Sequence, residues 1–170
     1  MPSILTTRAV FMLAVLICMM LSGPQLVRHV SWKAYAGFAT EVTRGRAEPA
    51  DMELLAPILN RRGPEHCDML DQIPLVTLNF YAHDLIARQA GLNPFLPASD
   101  PALNAQRQAT RAVVEDALAC APLDGNLWLS LAILSRAMGD DPEKTAQHLA
   151  LSERYAPHEG WIAGRRAQLF

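Results

Sequence analysis

The most reactive side chains of this sequence lie together in one short stretch. Glu65, His66, Cys67 and Asp68 are adjacent and would supply an acid, a base and a thiol, with His83 on the segment that follows. A Cys/His nucleophile requires both side chains within hydrogen-bond reach and a perturbed thiol pKa, but sequence neighbours usually point in different directions. The stretch is therefore better interpreted as a helix start capped by Asp68. Nucleophilic catalysis by Cys67 is the enzymatic alternative.

Three other side chains are candidate metal ligands. His148, Glu153 and His158 lie on or just after one segment of helical periodicity. They are unlike residues without the paired spacing of known metal sites, so we interpret them as solvated polar side chains. We predict no catalytic residue, no cofactor and no metal.

The cysteines give a further constraint. The chain contains three, Cys18, Cys67 and Cys120, with neither a Cys-x-x-Cys pair nor Cys/His zinc spacing. A bridge between Cys67 and Cys120 requires an oxidising compartment, and buried free thiols are the simpler expectation.

Length, charge and periodicity set the fold class. The chain of 170 residues has a formal net charge of −2, which excludes the strongly basic surface typical of nucleic-acid binding. From Pro49 onward the apolar residues follow helical periodicity, and no alternating run with hairpin turns appears. The sequence predicts an all-α fold, with an N-terminal transmembrane helix over 1–30, a linker over 31–48 and an antiparallel helical domain over 49–170.

The N-terminal segment is the basis for the membrane prediction. Residues 9–21 carry no polar side chain, and an apolar helix over 4–27 would be roughly 36 Å long, enough to cross a bilayer. The small residues that cleavage would need, Ala34 and Ala36, lie far beyond the apolar core, which favours an uncleaved signal anchor. A cleaved signal peptide is the alternative. The basic residues on the two sides do not decide which side of the membrane the domain occupies.

Turn and cap residues delimit the expected helices. These run over about 52–62, 74–90, 101–120, 126–138, 142–155 and 161–169. Asp100-Pro101 and Asp141-Pro142 are starts with a cap followed by proline, and Gly139 is a stop. The apolar residues predict an inward face on the second helix, formed by Leu75, Leu78, Ala82, Leu85 and Ile86. On the third helix the predicted inward face consists of small residues: Ala105, Ala109, Ala112, Val113, Ala117 and Cys120.

A five-residue phrase occurs twice. Residues 121–125 and 156–160 both read Ala-Pro-x-acid-Gly, and Pro122 and Pro157 are 35 residues apart. A fixed spacing of this size is typical of helix-pair repeats, which stack because no unit buries its apolar face alone.

The repeat region resembles the tetratricopeptide repeat family. Trp128, Leu131, Ala132 and Gly139 match the pattern of its first helix and turn, and Ala117 with Pro122 and Ser152 with Pro157 match its closing pattern, over residues 102–163. Departures are Ser135 in place of an aromatic, Ala146 one place late, and an insertion near 140–141. The resemblance implies about 1.5 to 2 helix pairs, with Trp128 largely buried between helices 101–120 and 142–155.

The resemblance also implies a concave partner-binding face. Its first-helix residues here are Asn126, Leu129, Ile133 and Arg136. Because two of them are large aliphatics, the groove should be occupied, either by the chain's own 74–90 helix or by a partner's helix.

The segments 122–129 and 155–157 are similar to small anchored proteins of bacterial exopolysaccharide synthesis or export. That similarity implies a single-pass protein of the bacterial inner membrane, acting as a scaffold or accessory subunit of an envelope assembly. Its partners would be the bilayer and a membrane-associated protein, without nucleic acid. An exported periplasmic binding protein with a cleaved signal peptide is the alternative.

Overall fold

The structure is a computed structural model that describes residues 12–13, 15–20, 33–47, 52–59, 67 and 69–170. Within these residues all regular secondary structure is helical and there is no strand, which confirms the all-α fold class. The chain divides into two compact units, Met1–Phe38 and Ala39–Phe170.

The first unit contains the predicted membrane anchor, most of which lies outside the described residues. Residues 12–13 and 15–20 are helical and present exposed apolar side chains: Met12, Leu13, Leu16, Ile17, Met19 and Met20. None of the helices in the described part of the chain is both long and apolar enough to span a membrane. Residues 33–43, within the predicted linker, are helical.

The second unit is a series of helices, and consecutive helices pack together as far as the one over Pro142–Tyr155. They are α1 (Met52–Leu59), α2 (Met69–Gln89), α3 (Pro101–Cys120), α4 (Gly125–Met138), α5 (Pro142–Tyr155) and α6 (Gly160–Leu169). α4 also contacts α6, so it is packed against three neighbours. This explains why α4 is apolar nearly all round, as a central helix must be.

Aspartate caps fix three of the helix starts. The Oδ1 atom of Asp100 accepts a hydrogen bond from Leu103 N at 2.7 Å, and Asp124 and Asp141 accept equivalent bonds at the starts of α4 and α5. Each carboxylate satisfies amide groups that have no partner within the helix. The predicted starts of α3 and α5 are therefore confirmed, and Gly139 ends α4 at a φ of 71°, as predicted.

α2 begins five residues before the predicted start at Pro74. Proline normally marks a first turn, but here Pro74 lies inside the helix, where it removes one backbone hydrogen bond. In the extra turn the Gln72 side chain is 2% exposed and donates from Nε2 to Cys120 Sγ at 3.1 Å, which connects the turn to the end of α3. Of the predicted α2 face, Leu75, Leu78 and Ala82 are buried while Leu85 and Ile86 are half-buried.

The predicted inward face of α3 is partly wrong. Val113 and Ala117 are buried, but Ala105 is exposed and Ala109, Ala112 and Cys120 are only half-buried. The face that is buried instead follows Leu103, Arg107, Thr110, Val114 and Ala117. Periodicity counted only apolar residues and therefore missed two polar positions that contact α2.

Cys67 and Cys120 form a disulfide, which corrects the expectation of free thiols. Their Cα atoms are 5.2 Å apart, within the range that a disulfide requires. The bond joins the residue just before α2 to the last residue of α3. It thereby closes the open end of this antiparallel helix pair, opposite the 90–100 loop.

The 35-residue spacing recurs in the backbone. Ala121 after α3 and Ala156 after α5 have φ, ψ values of −131°, 68° and −138°, 58°. Their amides donate to equivalent carbonyls, Ala117 O at 2.9 Å and Ser152 O at 3.0 Å. The repeated motif therefore specifies a repeated helix ending, after which α4 and α6 each begin at a glycine, Gly125 and Gly160.

Candidate functional site

The sequence-predicted partner face lies along one side of α4. Leu129 and Ile133 are 0% and 2% exposed, whereas Asn126 and Arg136 are half-buried. The four positions share a face because residues three or four apart on a helix are neighbours. The structure thus brings them together, and the apolar pair at the centre has almost no free surface.

Other parts of the same chain cover this apolar pair. Leu129, Ile133, Ala156 and Ile162 form one core cluster, against which Phe80, Phe95, Leu149 and Leu169 pack. Phe80 belongs to the 74–90 helix that was predicted to fill the groove. The contribution of α6 was not predicted, although the seven-residue spacing of Ile162 and Leu169 places both on one helix face and could have indicated it.

Arg136 forms the polar end of the face. Its guanidinium donates a hydrogen bond to the Leu169 carbonyl at the end of α6, and it lies 5.4 Å from the centre of the Phe170 ring. Together with Phe95, Ile133, Leu169 and Phe170, it lines a shallow cleft. A cation beside a helix C-terminus and an aromatic face is a favourable arrangement for docking another helix end.

Trp128 is half-buried, so most of its surface is covered as the repeat pattern predicts, with part of the side chain at the surface. Its indole Nε1 donates to the Pro122 carbonyl at 2.8 Å, which orients the ring toward the loop before α4. The opposite part of the ring packs against His148 of α5, with ring centres 5.9 Å apart. The contact with α5 follows the repeat pattern. The polar indole nitrogen keeps the ring near the surface.

Three helices meet at a polar cluster around Ser135. The Ser135 hydroxyl lies 3.1 Å from His148 Nδ1 of α5, and Arg111 of α3 binds Asp140 just after α4. Burial would raise the pKa of Asp140, but the hydrogen bond and charge of Arg111, aided by Lys144, outweigh it and lower that pKa. Burial and the nearby cations lower the pKa of His148.

This cluster resembles a catalytic triad only in residue types. Ser135 is 0% exposed, so its hydroxyl is not accessible to a substrate. Asp140 pairs with Arg111 rather than orienting the imidazole, so the relay of a Ser-His-Asp site is not formed. The group instead connects α3, α4 and α5.

A second buried polar group holds the 90–100 loop. Arg107 is 0% exposed and donates to the carbonyls of Leu96 at 2.7 Å and Pro94 at 3.2 Å, and to His83 Nε2 at 3.3 Å. Burial and the Arg107 charge lower the pKa of His83 to about 4. His83 is therefore an uncharged acceptor at neutral pH. No sequence pattern indicates this pair, because its members lie on different helices.

Cys67, in the reactive stretch over residues 65–68, offers no thiolate. Cys67 is exposed, but its sulfur is bonded to Cys120, and His83 is bound to Arg107. Glu65, His66 and Asp68 lie outside the described residues. Among the residues that the structure describes, no group of three or more His, Cys, Asp or Glu side chains could hold a metal ion.

Comparison of the chain with protein-family models, curated proteins and solved structures gives no match. The site is therefore interpreted from its own geometry.

Proposed function

We propose that this chain is a membrane-anchored scaffold or accessory subunit of a bacterial envelope assembly, which binds a protein partner through the Asn126 to Arg136 face. The main support is the 35-residue recurrence of helix endings at Ala121 and Ala156. Helix-pair stacks of this kind typically offer a surface to another macromolecule rather than a reaction centre. We also propose that the chain is not an enzyme.

The attachment to a membrane is supported by the apolar surface of residues 12–13 and 15–20. Met12, Met19 and Met20 are each at least 68% exposed, and no polar side chain interrupts this stretch. Contiguous exposed apolar surface is costly in water and typical of lipid contact. The uncleaved anchor, the single pass and the inner membrane are parts of this proposal.

The disulfide favours one orientation. Disulfides persist in oxidising compartments and are rare where thiol reductants act. The Cys67–Cys120 bond therefore favours a helical domain on the outer side of the inner membrane, with residues before the anchor in the cytoplasm. Participation in exopolysaccharide synthesis or export rests only on the similarity of segments 122–129 and 155–157.

Two measurements on cells test attachment and orientation. Trapping of thiols before lysis should show Cys67 and Cys120 oxidised and Cys18 reduced, and N-terminal sequencing should find the segment before Gly23 retained. Finding both bridge cysteines reduced would remove the support for an external domain. A mature N-terminus at or after Gly23 would instead favour the exported, cleaved alternative.

Partner binding is tested by cross-linking and affinity purification from membranes, followed by reciprocal purification of the captured protein. Arg136→Glu should abolish the specific complex because it reverses the charge at the polar end of the face. Arg154→Glu is the matched control, since Arg154 is exposed on α5 and its Cζ lies 5.7 Å from the ring centre of the neighbouring Tyr155, away from the proposed face. Equal capture by both variants would exclude the proposed face.

A further inference from the structure

We infer that α6 is a displaceable cover on the partner face and that the partner supplies a short amphipathic helix that replaces it. This inference deepens the proposed function and rests on it. The incoming helix would carry two large aliphatic side chains seven residues apart, and its C-terminal end would lie at Arg136.

The first support is what α6 conceals. The predicted partner face has an apolar centre, Leu129 and Ile133, and Ile162 and Leu169 of α6 contribute to the cluster that covers it. A partner can reach this centre only if α6 moves. The cover and the predicted site therefore compete for the same apolar surface.

The second support is the weak intrinsic stability of α6, which Arg166 holds to α5 through hydrogen bonds to Ser152 Oγ at 3.1 Å and Ala156 O at 3.2 Å. It has ten residues, and its N-cap residue Glu159 makes no side-chain hydrogen bond, unlike Asp100, Asp124 and Asp141. Isolated helices shorter than about 12 residues are marginal in water. Gly160 and Gly164 weaken α6 further, because glycine costs about 0.5–1 kcal/mol relative to alanine within a helix.

The third support concerns the chemistry of the occupant. Arg136 binds a backbone carbonyl, Leu169 O, and therefore recognises the end of a helix rather than a particular side chain. The C-terminal end of any helix carries partial negative charge that complements a guanidinium. Specificity is left to the aliphatic pair, in the positions that Ile162 and Leu169 now fill.

A labelled synthetic peptide of residues 159–170 is the probe, used with the full chain in detergent. In the wild type the attached α6 competes at an effective concentration near the millimolar range, so the peptide should bind weakly. Ile162→Asp in the full chain should release α6 and strengthen peptide binding about tenfold or more. Gln168→Asp, at an exposed position on α6, is the matched control and should bind like the wild type.

Hydrogen exchange on the unmodified chain gives an independent measurement. The α6 amides should exchange at least about 100-fold faster than the buried amides of α4, because α6 opens without global unfolding. Equal protection of the two helices, or equal peptide affinity for wild type and Ile162→Asp, would overturn the inference. A wild-type dimer formed by exchange of α6 would also overturn it, because a second copy would then be the occupant. Neither measurement uses the membrane or the partner, so failure here is distinguishable from failure of the proposed function.

Discussion

Replacing Gly125 by alanine would place a methyl group where α5 already lies. A Cβ atom at position 125 would be 2.9 Å from both Ala156 N and Ser152 O, and closer still to the Ala156 side chain. Two of these three atoms belong to the backbone of the α5 ending and cannot turn away. The first turn of α4 or the end of α5 must therefore move.

The expected net effect is a loss of about 1–2 kcal/mol in the free energy of unfolding. Overpacking typically costs about 1–3 kcal/mol. Removing glycine from a helix returns at most about 1 kcal/mol, and less at its first residue. The steric cost should be the larger because the contact is with backbone atoms.

Gly160 is the matched control because it occupies the same place in the repeated phrase. A Cβ there meets nothing within 4 Å, so Gly160→Ala should leave stability unchanged or raise it by up to about 1 kcal/mol. At roughly 4 °C per kcal/mol, this difference of about 1–3 kcal/mol should separate the two variants in Tm by about 4–12 °C. Thermal unfolding of the full chain in detergent, followed by circular dichroism, measures this difference.

Adding Ala156→Gly to Gly125→Ala should restore part of the loss, since it removes one of the three clashing atoms. Equal melting temperatures for Gly125→Ala and Gly160→Ala would refute the close approach of α4 and α5 at this position. The repeat geometry on which the scaffold proposal depends would then have to be abandoned.

Three other perturbations test the disulfide, the buried histidine and the tryptophan. Changing both Cys67 and Cys120 to serine should lower the free energy of unfolding, measured in urea, by up to about 4 kcal/mol, because the bond restricts a 53-residue loop in the unfolded chain. An unchanged free energy of unfolding would argue against the bond. The pKa of His83 is about 4 in the folded chain, against an ordinary value of 6.5. The neutral imidazole therefore makes its full contribution to the free energy of unfolding above pH 6.5. As the pH falls toward 4, up to about 3 kcal/mol should be lost. His83→Gln should remove that part of the pH dependence, and an unchanged pH profile would contradict the assignment. Trp128→Ala should cost about 2–3 kcal/mol, less than for a fully buried ring, while Trp161→Ala, at a 56% exposed site, should change stability by under about 0.5 kcal/mol.

Local signals in the sequence were sufficient for most of the helix boundaries. The aspartate caps of α3 and α5 and the stop at Gly139 each depend on a few neighbouring residues, so their positions follow directly from residue type. The start of α2 does not, because Pro74 is tolerated inside the helix and the preceding turn is connected to α3 by the contact of Gln72 with Cys120.

Features that join distant segments were outside the reach of periodicity. The Arg107–His83 pair and the Cys67–Cys120 bond each connect separate helices, and no spacing rule encodes such pairings. The repeat pattern predicted the position of the candidate face on α4, but it did not predict that α6 covers this face. Within α6, Ile162 is followed by glycine and basic residues. The apolar pattern of α6 is therefore too weak to show which helix α6 covers.

The disulfide also determines how the domain would carry load. If the chain is anchored in a membrane before Cys67 and held by a partner at α4, tension enters at Cys67 and leaves at Cys120 through two sulfur atoms. The helix pair α2–α3 lies outside that covalent path. The 53 residues from Cys67 to Cys120 would span roughly 190 Å when extended, at about 3.6 Å per residue, but they cannot be extended while the bond persists. The bond would therefore act as a mechanical bypass that keeps the distance between anchor and partner short under force.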